Sequence, residues 1–128
     1  MTTTLHSIAI FVTDLERARV FYEDQLGLPV AKAGSFGFEF LHHPPHVGVH
    51  PAQHPEALKM VGGHTGLTFH VVNLLDVCSS LGEQGVKFVA EPTQQGFGIM
   101  ALVADPDGNI MALWEDNVSP ADAPEEKE

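Results

Sequence analysis

The stretch that decides the fold is LHSIAIFVTDLERARVFYEDQLGLP, residues 5–29. Residues 8–12 form a β-rich apolar run, which predicts a strand. Thr13 precedes Glu16 by three residues, a capping-box pattern that predicts the start of an amphipathic helix. Gly27 is typical of the residue that follows a helix. The stretch therefore predicts a strand followed by a helix that packs on a sheet.

The rest of the chain predicts this order of elements twice. Further strands of the first copy are expected at residues 30–34, 35–42 and 46–50, and residues 51–63 are expected to be a connector. The second copy is expected to contain a strand, a helix capped by Asn73, and three more strands, at residues 66–72, 74–83, 86–90, 98–104 and 109–115. The last two strands enclose Asp105-Pro106-Asp107-Gly108, which matches the residue preferences of a type I turn.

This pattern predicts an α+β fold built from two βαβββ modules. The modules are expected at residues 4–50 and 64–116, within a single domain of residues 1–116. One such module leaves an apolar sheet face exposed, so we expect the two to form a curved mixed sheet around a cleft.

The charge and the cysteine content of the chain limit the kinds of binding partner and the cellular compartment that we expect. Seventeen acidic and six basic residues give the 128-residue chain a formal net charge of −11. That charge repels phosphate backbones and anionic lipids, so we expect neither nucleic acid nor a membrane as a partner. A single cysteine, Cys78, cannot form an internal disulfide, which favours a reducing cytoplasm. The acidic residues 117–128 are expected to be a disordered tail.

Three segments carry a resemblance to a known family: VTDLERARVFYEDQLGL near the start, HVVNLLDVCSSLGEQGVKF in the second half and FGIMALVADPDGNIMALWE at the end. In this order and spacing they resemble the vicinal oxygen chelate superfamily, which includes glyoxalase I, bleomycin-resistance proteins, fosfomycin-resistance enzymes and extradiol dioxygenases. The resemblance covers residues 5–115. It implies paired βαβββ modules, often assembled as a homodimer, with a concave site that commonly holds a divalent metal ion.

The resemblance also places the usual metal ligands at four positions that carry weak donors or none in this chain: Ser7, Gly48, Gly66 and Ala112. His6 and Glu115 lie near two of these positions. Each is displaced by an odd number of residues, however, and therefore points to the opposite face of a regular strand. We therefore expect no metal cofactor.

A group of histidines in the middle of the chain leaves an alternative open. His50, His64 and His70 lie at even spacings from the family positions and are expected to face the cleft. Three imidazoles with an open coordination position suit a divalent ion such as zinc, nickel, iron or manganese. The simpler interpretation is that His50 and His70 make polar contacts in an apolar pocket.

Strand parity predicts which side chains line the cleft and which fill the core. Phe36, Phe38 and Phe40 are expected on one face of their strand, with Glu39 opposite them and facing solvent. The core side is expected to hold Ile8, Ile10, Val12, Leu67, Phe69, Val71, Met111 and Leu113. The residues expected to bind a ligand are Ser7, Phe11, His50, Thr68, His70 and Trp114, although Phe11 and Trp114 also suit a core.

Two functions follow from these patterns. The first is a metal-independent protein that binds an aromatic or hydrophobic molecule, for sequestration or sensing. The second is a metal-dependent lyase, isomerase or dioxygenase that uses the histidine cluster. We favour the first because the chelating positions are empty of strong donors, and we leave open whether the chain is an enzyme.

Overall fold

The computed structural model describes residues 1–116, so the predicted tail at 117–128 lies outside the described part of the chain. Residues 1–65 form one unit together with the turn at Asp105–Asn109. This first unit contains a four-stranded sheet in the order β1-β4-β3-β2, in which β1 is parallel to β4 and the other pairs are antiparallel. Its strands are β1 (Ser7–Val12), β2 (Val30–Gly34), β3 (Gly37–Phe40) and β4 (His46–Pro51).

Two short helices complete the first unit. Helix α1 (Leu15–Arg19) continues directly as a π-helical segment, Val20–Gln25, that ends before Gly27. Helix α2 (Pro55–Leu58) lies in the segment that was predicted to be an irregular connector. The strand and helix predicted from the opening stretch are thus both present.

The predicted capping box does not form. Asp14 is the N-cap of α1, since its carboxylate accepts a hydrogen bond from the backbone N of Arg17 at 3.1 Å. Thr13 instead donates from its backbone N and its Oγ1 to the carboxylate of Asp107, at 2.9 and 2.5 Å. The prediction failed because a carboxylate far away in sequence satisfies Thr13, and a local pattern cannot show such a partner.

The core of the first unit lies between the sheet and the helical segment. Tyr22 is fully buried there, with ring centroids 4.8 Å from Phe21, 6.4 Å from Phe38 and 5.8 Å from Phe40. Ile10 and Val12 of β1 are buried on the same side, whereas Ser7 and Ala9 are exposed. The predicted parity of β1 is therefore confirmed.

Residues 66–104 and the strand from Ile110 onward form the second unit. Its sheet has the order β5-β8-β7-β6, which repeats the order of the first sheet. Helix α3 (Leu74–Glu83) buries Leu74, Cys78 and Leu81. The strands are β5 (Gly63–His70), β6 (Lys87–Gln95), β7 (Gly98–Ala104) and β8 (Asn109–Asp116).

Two βαβββ modules in an α+β fold are thus confirmed. In the second unit Met111 and Leu113 are buried, as predicted for the core side of β8. Among residues 1–116, no helix is long and apolar enough to cross a membrane.

The turn before β8 is held by a buried polar network. Asp105 and Asn109 are only 4% and 2% exposed. Asp105 Oδ1 accepts from the backbone N of Asp107 and of Asn109, each at 2.9 Å, and Gly108 N donates to the carbonyl of Asp105 at 2.9 Å, which confirms the predicted turn. Asp105 Oδ2 accepts from the Tyr22 hydroxyl at 2.7 Å and from Asn109 Nδ2 at 2.9 Å. Every buried acceptor of this carboxylate is therefore used.

This network predicts an alkaline instability that comes from Tyr22. Burial, followed by the adjacent Asp105 carboxylate, raises the pKa of Tyr22 well above its ordinary value. The folded chain then keeps the phenol neutral above about pH 10, where the unfolded chain ionises, so the contribution of Tyr22 to stability is present below pH 10 and is lost as pH rises. Urea unfolding should show the native chain more stable than Tyr22→Phe by about 1 kcal/mol at pH 8, with that advantage gone by about pH 11.

The chain contains one tyrosine, so its absorbance provides an independent check. Tyrosinate absorbance should be absent from the folded chain at pH 11 and should appear in urea with a midpoint near pH 10. Titration of the folded chain near pH 10 would show that the hydroxyl is accessible and would contradict the assignment.

Candidate ligand-binding face

The sheet of the first unit has one side covered by helix and one open side. On the open side, three residues of β1 lie beside three residues of β4 in register, with Ser7 next to His46, Ala9 next to Gly48, and Phe11 next to His50. Glu39 of β3 is the next neighbour of Gly48. We call these residues the open face of the first sheet: Ser7, Ala9, Phe11, Glu39, His46, Gly48 and His50.

His50 is the centre of an aromatic group on this face. Its ring centroid lies 6.0 Å from that of Phe11 and 6.2 Å from that of Phe36. Its Nδ1 lies 2.9 Å from the carbonyl oxygen of Phe36, which holds the imidazole in place. The other nitrogen, Nε2, lies only 2.7 Å from the point that a Cβ on residue 48 would occupy. This position of the ring therefore requires glycine at 48.

Two predictions about the β3 region need correction or refinement. Phe36 does not share the buried face of Phe38 and Phe40, because it precedes β3 and Gly37, at φ +122°, interrupts the alternation. Phe36 is 36% exposed and contacts His50 instead. Glu39 lies opposite Phe38 and Phe40 as predicted, and this places it on the open face, half-buried beside Gly48.

A small cavity adjoins Phe11 within the first unit. Its volume is about 140 Å³. Sequence reasoning did not assign Met60, Gly62 or Asn109 to any site, because the connector showed no periodicity that would orient them. The lining residues are Ala9, Ile10, Phe11, Met60, Gly62, His64, Thr65 and Asn109.

The remaining predicted ligand residues belong to the second unit. Thr68 and His70 are exposed on β5. Trp114 of β8 is half-buried, with its indole ring in the space that a side chain at Gly98 would occupy. Its Nε1 donates to Asp116 Oδ1 at 2.9 Å. Of the six predicted residues, the first unit thus places Phe11 and His50 in contact.

The donor groups do not fit the metal site that the family resemblance implies. Ser7 is exposed on β1, Gly48 and Gly66 have no side chain, and Ala112 is a buried methyl group. Among residues 1–116, no three His, Cys, Asp or Glu side chains are grouped so that they could hold a metal ion. His6, the displaced candidate, packs edge-on against the ring of His46 at 5.4 Å.

Glu115, the other displaced candidate, has a structural role. Its two carboxylate oxygens accept hydrogen bonds from the backbone N of Asn73 and of Leu74, both at 2.7 Å, at the start of α3. The predicted cap, Asn73, adopts a left-handed conformation and makes no side-chain capping bond. Asn73 does occupy the predicted N-cap position, but its side chain does not cap the helix, because Glu115, a neighbour in space only, supplies the stronger charged acceptor.

The fold and this face together define an α+β protein with tandem βαβββ modules. A family model, the Glyoxalase/Bleomycin resistance protein/Dioxygenase superfamily, matches residues 4–113. The chain therefore belongs to this superfamily, and the resemblance drawn from the sequence is confirmed.

Individual relatives agree with this assignment. The uncharacterized protein YetH of Bacillus subtilis (strain 168) is 25% identical over 121 residues, which span 90% of this chain and 100% of YetH. The crystal structure of a superfamily member from Sphaerobacter thermophilus DSM 20745 aligns with a TM-score of 0.73 and 25% identity, over 90% of this chain and 98% of that one. TnmS3, described as an antibiotic binding protein from Streptomyces sp. CB03234, aligns with a TM-score of 0.69 and 23% identity, over 91% and 98%.

The cap on α3 predicts an acid-sensitive contribution from Glu115. The hydrogen bonds from Leu74 N and then Asn73 N hold the pKa of Glu115 below its ordinary value. Its contribution to stability is therefore present above about pH 4.3 and is lost as pH falls through the lowered pKa. Glu115→Gln should unfold at a lower urea concentration than the native chain at pH 7, and the difference should shrink by pH 3.

Asp116→Asn is the matched control for this experiment, since it makes the same acid-to-amide change at the next residue, whose Oδ1 accepts a bond from Trp114 Nε1. A gap between native chain and Glu115→Gln that stays constant from pH 7 to pH 3 would contradict the capping role.

Proposed function

We propose that this chain binds a small aromatic or hydrophobic molecule without a metal ion and acts by sequestering or sensing it. The observation that carries the proposal is the group formed by Phe11, His50 and Phe36 on the open face of the first sheet. Aromatic rings that remain accessible while a backbone carbonyl fixes one of them offer a prepared surface for a flat ligand.

The space around this group suits such a ligand. Gly48 leaves the face flat next to His50, and the adjoining cavity of about 140 Å³ reaches the ring of Phe11. The volume of this cavity is of the order that one aromatic ring needs, and its lining combines apolar Ile10, Phe11 and Met60 with polar His64, Thr65 and Asn109. The rest of the ligand would then lie outside the cavity and stack on the aromatic rings of the open face.

The net charge of the chain and its structural similarity to TnmS3 support the same proposal. The net charge of −11 attracts cationic molecules at long range, and bleomycin-type ligands are cationic. TnmS3, which shares this fold, is described as an antibiotic binding protein. We further propose that the chain works as a homodimer in the cytoplasm, in keeping with the family resemblance and the single cysteine.

A dye-binding experiment tests the assignment of the face. Phe11→Ala and Phe36→Ala should each weaken binding of the uncharged aromatic dye Nile red about tenfold, because each removes a stacking partner and its apolar area. Fluorescence titration measures the affinity, and urea unfolding of each variant establishes that the protein tested is folded.

Phe97→Ala is the matched control. It makes the same substitution at a phenylalanine that is 81% exposed at the turn between β6 and β7. It should leave dye affinity unchanged. Equal losses in all three variants would show nonspecific adsorption to exposed rings and would refute the proposed site.

The metal-independent mode of action predicts a low metal content. The chain, purified without a histidine tag and offered stoichiometric Zn²⁺, Ni²⁺, Fe²⁺ and Mn²⁺, should retain far less than one equivalent after gel filtration, by elemental analysis. His50→Ala and His70→Ala should behave like the native chain. Near one equivalent in the native chain, lost in either variant, would favour the alternative metal-dependent lyase, isomerase or dioxygenase.

A further inference from the structure

We infer that His50 accepts a hydrogen bond from the ligand, so that the ligand is a planar aromatic molecule carrying an O–H or N–H group. This inference rests on the proposed function and adds the chemical class of the ligand. It follows from the contact that fixes the imidazole.

The contact determines which ring nitrogen carries the proton. Nδ1 of His50 faces the carbonyl oxygen of Phe36 at 2.9 Å, and a carbonyl oxygen only accepts hydrogen bonds. Nδ1 must therefore be the protonated nitrogen. In the neutral ring this leaves the lone pair on Nε2, which makes Nε2 a hydrogen-bond acceptor.

The position of Nε2 allows a ligand on the open face to donate a hydrogen bond to it. Nε2 lies above Gly48, on the open face and between the strands that carry Ala9 and Glu39. A methyl group at residue 48 would sit 2.7 Å from Nε2 and displace it. The small residue thus preserves a fixed acceptor at the edge of an aromatic surface.

A flat ligand that stacks beside Phe11 or Phe36 brings its ring edge toward Nε2. A donor on that edge forms a hydrogen bond with Nε2. A ligand without a donor displaces water from Nε2 and does not replace the hydrogen bond that is lost. Selectivity for donor-bearing aromatics is the expected result.

A matched pair of probes tests this selectivity. 2-Naphthol and 2-methoxynaphthalene share the same fused ring, but only the first carries a donor. By calorimetry at pH 7.5, the native chain should bind 2-naphthol roughly two- to tenfold more tightly, the range that one net hydrogen bond provides. His50→Phe keeps an aromatic ring without the acceptor and should bind both probes equally.

Two more variants locate the acceptor. Gly48→Ala retains His50 but displaces its ring, and it should also lose the selectivity. His50→Gln restores a side-chain oxygen acceptor and should recover part of it. Glu39→Leu removes another acceptor on this face, the Glu39 carboxylate, and should keep the selectivity of the native chain.

The outcomes separate this inference from the proposed function. Equal binding of both probes by the native chain, or selectivity that survives in His50→Phe, would overturn the role of His50 while leaving aromatic binding intact. Loss of selectivity in Glu39→Leu alone would assign the acceptor to Glu39 and would also overturn the role of His50. Failure of both probes to bind would overturn the proposed function and this inference together. Nitrogen-15 spectra of the folded chain give a separate readout, since a proton on Nε2 of neutral His50 would contradict the inference directly.

Discussion

The structure of the first unit depends on the hydrogen bonds to the buried carboxylate of Asp105. A charge in an apolar interior is tolerated only when hydrogen bonds replace its water, and here Tyr22, Asn109 and two backbone groups do so. Asn109 extends the network to β1 by donating to the carbonyl of Phe11 at 3.0 Å. The turn, the helical segment and the end of β1 are therefore held in one arrangement, and the same arrangement orients Phe11 on the open face.

Glycine at residue 48 links the absence of a chelating side chain there to the aromatic group around His50. A long acidic side chain at residue 48 would fill the space over the sheet, and His50 could not lean across it. With glycine there, the imidazole packs between two phenylalanines and is fixed by the Phe36 carbonyl. The absence of a side chain at residue 48 thus provides the space that the imidazole of His50 occupies in this chain.

Sequence reasoning succeeded where a local period decides the structure. Alternation in β1 separated the core side from the open side, alternation in β8 assigned Met111 and Leu113 to the core, and the Asp-Pro-Asp-Gly turn was recognised from its own residues. It failed where the deciding partner is distant in sequence. The residue types of Thr13 and Asn73 predicted helix caps, but Thr13 donates to Asp107 in a distant turn and Asn73 N donates to Glu115 of β8. Phe36 was misplaced because a positive φ at Gly37 breaks the period that its assignment assumed.

Affinity and selectivity have separate physical sources on such a face. Stacking and area burial are nearly indifferent to the substituents on a ring, so in the proposed site Phe11 and Phe36 would favour many aromatic molecules about equally. A fixed acceptor acts differently, because its desolvation costs free energy unless a donor on the ligand forms a hydrogen bond with it. A rigid imidazole also cannot rotate toward solvent to regain a hydrogen bond with water. A surface of two phenylalanines and one oriented histidine therefore combines broad affinity with a single chemical requirement. That combination suits a protein that must retain a class of related molecules, since it recognises their shared donor while tolerating differences elsewhere.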